Sequence, residues 1–155
     1  MIPASAKTIV IDTNVCLDLF VFRDPRWAPL LAALESGRVR AVTRADCRDE
    51  YLIVLHYTHL PLDDTTRPQA AAAFDALIEV VAPTSRALRL PVCTDRDDQK
   101  FLEIARDADA GVLVTKDKAL LKLARRAARE NLFRIMTPEA WVKTATRKKG
   151  IPTGS

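Results

Sequence analysis

Four acidic residues stand where apolar, strand-like segments end or begin. Asp12 follows Thr8 to Ile11, Asp117 follows Gly111 to Thr115, Asp98 opens the segment leading into that strand, and Glu50 lies one turn into a helical stretch after Val39 to Thr43. Parallel sheets put their working crevice beyond the carboxyl ends of the strands, so these acids are expected to converge at one edge. Two carboxylates about 4 Å apart repel by about 4 kcal/mol at an effective dielectric of 20, and four make several such pairs. Such a set must be protonated or must hold a cation. Hard oxygen ligands select Mg²⁺ or Mn²⁺, and the lack of a Cys/His ligand pattern argues against zinc. One or two such ions would activate water for in-line attack on a phosphodiester and neutralise the leaving oxygen, which makes phosphodiester hydrolysis the expected reaction.

Each acid also has a purely structural reading. Asp117 could cap the helix starting at Lys118, and Asp95, Asp97 or Asp98 could cap the helix that begins there, because acids favour helix N-termini. Glu50, on the flank of an apolar stripe, could point outward. Asp12, directly after a buried strand, is the hardest to explain in that way.

The elements that must position these residues alternate between strand and helix. Thr8–Ile11 reads as a strand ending in a loop or helix start at Asp12-Thr13-Asn14. A helix over Trp27–Glu35 stops at Ser36-Gly37, and Val39–Thr43 is a second strand. Cys47, Tyr51, Val54, Leu55 and Thr58 share one face of a helix spanning Arg44–Thr58. After a turn-rich Pro61–Pro68, a helix over Gln69–Leu77 leads to a strand at Ile78–Ala82. Thr84–Thr94 reads as a connection, and Asp95–Asp98 opens a helix with Phe101, Leu102, Ile104 and Ala105 on its apolar face. Gly111–Thr115 is a strand, Lys118–Arg129 a basic helix, Phe133–Met136 a strand, and Pro138–Lys143 a last helix with proline in its first turn. This order predicts an α/β fold, a three-layer α/β/α sandwich around a parallel sheet of about five strands. One domain over residues 1–146 and a loose basic tail over 147–155 are expected.

Charge is unevenly distributed. Residues 61–110 carry 6 Lys/Arg against 10 Asp/Glu, net −4, whereas residues 111–155 carry 11 against 3, net +8. A basic surface beside an acidic site suits a protein that holds a polyanion and divalent cations together. Lys118, Lys122, Arg125, Arg126 and Arg129 recur at helical spacing and are the candidate substrate-binding stripe; a solvated basic face is the plain alternative. No apolar run approaches the ~20 residues that span a bilayer, and Met1 to Lys7 lacks a secretory leader pattern, so a cytoplasmic location without membrane contact is expected. The three cysteines, Cys16, Cys47 and Cys93, sit among apolar neighbours and read as buried thiols.

Four stretches carry a resemblance: Ile11-Asp12-Thr13-Asn14-Val15, Asp49-Glu50-Tyr51, Asp95 through Ala105, and Leu113-Val114-Thr115-Lys116-Asp117 with the residues after it. In this order they resemble the motifs of PIN-domain proteins, closest to the branch that contains VapC-like toxins of toxin–antitoxin pairs. The resemblance runs from about Ile9 to Met136. It implies a PIN-like fold, with Asp12, Glu50, Asp98 and Asp117 as catalytic acids and metal ligands and Asn14 and Thr115 supporting them by hydrogen bonds. Where the family often carries Asp-Pro this chain has Asp95-Arg96, so Asp95 competes with Asp98 for the third position. The resemblance further implies a Mg²⁺- or Mn²⁺-dependent endoribonuclease, a homodimer, and inhibition by a small antitoxin protein. A PIN-like RNA-binding or scaffold protein that acts through a partner without cleavage is the alternative.

Other active-site types fit less well. A haloacid-dehalogenase-type phosphatase needs a second aspartate two residues after Asp12, where this chain has Asn14. A response-regulator receiver needs a lysine after strand five, and none follows Arg134 there. With glycines only at positions 37, 111, 150 and 154, the signatures of P-loops and serine hydrolases are missing. His56 and His59, three apart near a helix end, lack metal partners and fit dipole contacts better.

Overall fold

The computed structural model describes residues 7–82 and 84–150, the last five of these as backbone only. Five strands, β1 (Thr8–Ile11), β2 (Arg40–Thr43), β3 (Ile78–Val80), β4 (Val112–Val114) and β5 (Arg134–Met136), form one sheet in the order β3-β2-β1-β4-β5. All four pairings are parallel. The chain builds outward from β1 in one direction through β2 and β3, then returns to β1's other side with β4. The topological switch therefore lies between β1 and β4.

Alternation along the strands divides the core. Ile9, Ile11, Ala41, Val112 and Val114 face one side, and Val10, Val42, Leu113 and Ile135 the other. The first side is covered by α1 (Thr13–Phe20), α2 (Ala28–Glu35), α4 (Thr66–Leu77) and α8 (Pro138–Gly150), which contribute Val15, Leu30, Phe74 and Trp141. The second is covered by α5 (Gln99–Asp107), α6 (Lys118–Leu121) and α7 (Ala124–Arg129), with Phe101, Leu102, Leu120 and Ala127. Sheet and helices thus make the three-layer α/β/α sandwich. α3 (Ala45–Val54) contributes to both cores, Tyr51 to the first and Cys47 to the second. Tyr51 stacks on Phe74 at 4.4 Å between ring centroids, meets Phe20 edge-on, and donates its hydroxyl to the Ala70 carbonyl at 3.0 Å. These contacts fix the helix that carries Glu50.

Several boundaries differ from the sequence reading for local reasons. The segment after Asp12 is a full helix, because Asp12 caps it and six consecutive residues, Val15–Phe20, are buried. α2 stops as expected at Gly37, whose φ of +77° lets the Gly37 N–H reach Leu34 and Arg38 reach back to Ala33. α3 ends at Val54 rather than Thr58. There the His56 and Tyr57 N–H groups bond three residues back, and the chain turns to bury Leu60, which leaves His56 and His59 exposed on the turn. α4 begins at Thr66, earlier than expected, because Asp63 accepts the N–H groups of Thr65 and Thr66 and Pro68 falls in a first turn that needs no donor.

The predicted basic helix from Lys118 to Arg129 is two helices, not one. The Leu123 N–H bonds to the Leu120 carbonyl, which tightens the turn, and α7 then lies against β5 with Ala127 buried. The last helix runs to Gly150 instead of ending at Lys143, and residues 151–155 of the expected tail lie outside the described residues. Cys16, Cys47 and Cys93 are free and buried. Among the described residues, no helix is long and apolar enough to cross a membrane.

Candidate metal centre

The switch point between β1 and β4 is where chain ends diverge and a crevice opens. Asp12 leaves β1 there, with its N–H donated to the Val114 carbonyl of β4 at 3.1 Å. Its carboxylate is buried, only 3% exposed. One oxygen accepts the Val15 N–H at 3.0 Å and so caps α1; the other accepts the hydroxyl of Thr115, just past β4. That hydroxyl oxygen in turn accepts the Asp117 N–H at 3.0 Å. Thr115 therefore ties the acid after β1 to the acid after β4.

One carboxylate oxygen from each of Asp95, Asp98 and Asp117 lies within 4.8 Å of the others. Asp95 caps the short 3₁₀ turn Arg96–Asp98 by accepting the Asp97 N–H, and Asp117 caps α6 by accepting the Ala119 N–H at 2.7 Å. Asp98 occupies the cap position of α5 but makes no capping bond. Its Oδ2 is buried with no hydrogen-bond partner. Capping and chemistry are thus compatible for Asp95 and Asp117, whose caps use one oxygen each, whereas both oxygens of Asp12 are engaged, by Val15 and Thr115. For Asp98 capping explains nothing, and a buried acceptor without a donor calls for a proton or a cation.

The electrostatics agree with that need. Burial pushes the Asp98 carboxyl up from its usual range to about 7, reinforced by its close approach to Asp117 and by the charges of Asp117, Asp95 and Asp12. Burial likewise raises Asp12 to about 6; the bonds from Thr115 and Val15 and the charge of Lys116 oppose the shift, and Asp117 adds to it. A divalent cation relieves both effects, and an all-oxygen donor set with one orphaned oxygen suits Mg²⁺ or Mn²⁺. The residues present fit such an ion.

Glu50 is not one of the three clustered acids and is held differently. Its Oε2 accepts the hydroxyl of Thr13, the neighbour of Asp12, and its Oε1 accepts from Lys100 Nζ at 2.6 Å, two residues beyond Asp98. Both oxygens are engaged within the protein. Asn14 is exposed on α1, and the hydroxyl that supports Glu50 comes from Thr13. Lys118, Lys122, Arg125 and Arg126 are all exposed, as is Arg129. The break at Lys122–Leu123 interrupts their common helical register, and Arg126 pairs with Glu130 at 3.1 Å.

Sequence reasoning passed over three residues that the site uses. Lys100 and Thr13 gave no signal beyond adjacency to Asp98 and Asp12. Asp18 did give one, as the lone acid within the otherwise apolar Val15–Phe20. It is buried, accepts the Trp27 indole N–H at 3.2 Å, and holds Lys116 Nζ at 2.6 Å next to Thr115 and Asp117.

Acids gathered at the switch point of a doubly covered parallel sheet, one of them with an orphaned oxygen, define an α/β protein with an acidic cluster that could hold a metal ion. The family model described as PIN domain matches residues 8–119, and the chain belongs to the PIN-domain family. PIN domains are a nuclease-type fold that typically uses divalent metal ions, consistent with the acidic cluster found here. A search of curated proteins returns no match to the chain.

Proposed function

We propose that this chain is a Mg²⁺- or Mn²⁺-dependent endoribonuclease, the toxin of a toxin–antitoxin pair. The observation that carries the nuclease reading is the grouping of Asp98 with Asp95 and Asp117, Asp98 holding a buried Oδ2 without a hydrogen-bond partner and feeling the charge of the buried Asp12. Asp98, Asp117 and Asp95 would hold the ion, with Asp12 adding its charge from beneath Thr115. When bound, a divalent ion activates water and offsets charge on the scissile phosphate. The remaining roles belong to the chain. Asp98, pushed up to about 7, is partly protonated near neutral pH and Asp12, pushed up to about 6, becomes so only below it; loading an ion would release these protons. The Thr115 hydroxyl keeps Asp12 and Asp117 in register. Lys118, Lys122, Arg125 and Arg126 are exposed cations on the segment that starts at Asp117, suited to backbone phosphates of RNA.

The toxin role, the homodimer and the small antitoxin partner rest on the resemblance of the four ordered motifs. Expression alone and together with a small protein encoded beside it, where one is found, tests them: growth arrest relieved by that protein is expected, and no arrest contradicts the role. Cleavage is separated from partner-mediated RNA binding by incubating the protein with single-stranded RNA in chelator and then adding Mn²⁺. The proposed function predicts intact RNA before addition and fragments after it. RNA that is bound but stays intact would favour the binding-only alternative.

A further inference from the structure

Two of the three clustered acids are carried by one short stretch of chain. Asp95 caps and Asp98 ends the 3₁₀ turn Arg96–Asp98, which buries no residue, and Thr94 to Asp97 are all exposed. Packing therefore cannot hold this stretch, and hydrogen bonds must. Within the turn, Asp95 accepts the Asp97 N–H on its side chain at 3.0 Å and the Asp98 N–H on its carbonyl at 3.1 Å, which sets the two acids relative to each other. After the turn, α5 anchors the chain through the buried Phe101 and Leu102. Before it, one side chain does so. Gln99 opens α5, where side chains lean back towards the helix N-terminus. Its Oε1 accepts the Cys93 N–H at 2.7 Å, and its Nε2 donates to the Pro91 carbonyl at 3.1 Å. Pro91 and Cys93 are buried on either side of the exposed Val92, so the carboxamide grips the last buried residues before the exposed stretch.

We propose that Gln99 is a positioning residue for the metal site: its carboxamide closes the chain from Cys93 to Gln99, six positions apart, into a ring that holds Asp95 and Asp98 within reach of Asp117 before any ion arrives. This rests on the metal-dependent reading above. Ring closure fixes an exposed turn in the free protein, so the ordering cost is met on folding rather than subtracted from ion binding. Arg106 ties an earlier part of the same loop to the far end of α5 through the Leu88 carbonyl at 3.2 Å, and it takes no part in the ring. Loosening the chain at Gln99 therefore weakens the ion, whereas loosening it at Arg106 weakens only the fold.

Calorimetric titration of the metal-free full chain with Mn²⁺, well below its melting range, reads the site without reference to activity. Gln99→Met, of similar length but without a carboxamide, should bind Mn²⁺ at least about 10-fold more weakly than the wild type, the lower end of what loss of an outer-shell partner costs. Arg106→Gln should melt lower and keep the wild-type affinity. Wild-type affinity in Gln99→Met, or an equal loss in both variants, overturns the proposal and leaves the metal-dependent reading intact. No Mn²⁺ binding by the wild type would remove that reading and the proposal together. Should either variant fail to fold, amide hydrogen exchange in the metal-free wild type decides. The Cys93 N–H should be protected while that of the exposed Thr94 exchanges freely, and a Cys93 N–H that exchanges as fast as its neighbour's overturns the proposal.

Discussion

Replacing Asp12 with asparagine should make the metal-free protein more stable above pH 6 and no more stable at pH 4. In the folded chain burial pushes the carboxyl up to about 6 from its usual 3.8. A raised carboxyl pKa stabilises the fold fully below the unfolded value, and that contribution is lost as pH rises through the folded value. At about 1.4 kcal/mol per pKa unit, ionising Asp12 costs the metal-free fold about 3 kcal/mol by pH 8. Asparagine keeps an oxygen for the Val15 N–H but cannot accept the Thr115 proton on its nitrogen, a loss of about 1 kcal/mol. The net gain is about 2 kcal/mol at pH 8, or about 6 °C in Tm for a chain of this length. Thermal melts in chelator, wild type against Asp12→Asn from pH 4 to 8, should show the difference in Tm growing from zero or slightly negative to about 6 °C, with its midpoint near pH 6. A difference that does not depend on pH, or an Asp12→Asn protein that melts lower at pH 8, would refute the burial argument.

Mn²⁺ affinity should rise with pH through the range 6 to 7, where Asp12 and Asp98 give up their protons, and level off above it; titrations in buffers of different ionisation heat would register proton release, and its absence would count against protonated acids. Thr115→Val removes a donor that lowers the Asp12 pKa, so the midpoint of the pH-dependent melting difference between this protein and its Asp12→Asn derivative should move upward. Lys122→Gln with Arg126→Gln, in an Asp12→Asn background that does not cleave, should flatten the salt dependence of single-stranded RNA binding by about 0.7 per lost phosphate contact; equal slopes would mean a solvated face. The effect of Lys122 should be the larger, since Arg126 is already paired with Glu130.

The fold was legible wherever one physical signal dominated. Short β-branched runs at Thr8–Ile11 and Val112–Val114, separated by amphipathic segments, were enough to imply a parallel sheet with helices on both faces, and Gly37 marked the end of α2. The spacing of basic residues misled at Lys118–Arg129, because helical periodicity is blind to a single tightened turn such as that at Leu123. α1 was only half seen, since its uniformly buried residues show no amphipathic period. The acids at strand ends could be picked out, and the capping objection to them was sound as far as it went: three of the cluster do cap. What the sequence could not separate was which acid remains unused by local structure, because that depends on whether a side-chain oxygen finds a backbone donor. Asp98 differs from Asp95 and Asp117 in making no capping bond. Ion pairs such as Glu50 with Lys100, fifty residues apart, leave no periodic trace.

Cleavage of single-stranded RNA by the wild type and by Asp98→Asn, measured across Mn²⁺ concentration at pH 8, tests the account most directly, because among the described residues Asp98 holds the one buried side-chain oxygen without a partner. The wild type should cleave only with the ion present and stop on chelation. Asp98→Asn should lose more than the roughly 10- to 100-fold typical of removing an outer-shell partner of a metal site, while keeping its melting profile. Cleavage that persists in chelator, or an Asp98→Asn protein as active as the wild type at the same ion concentration, would contradict it.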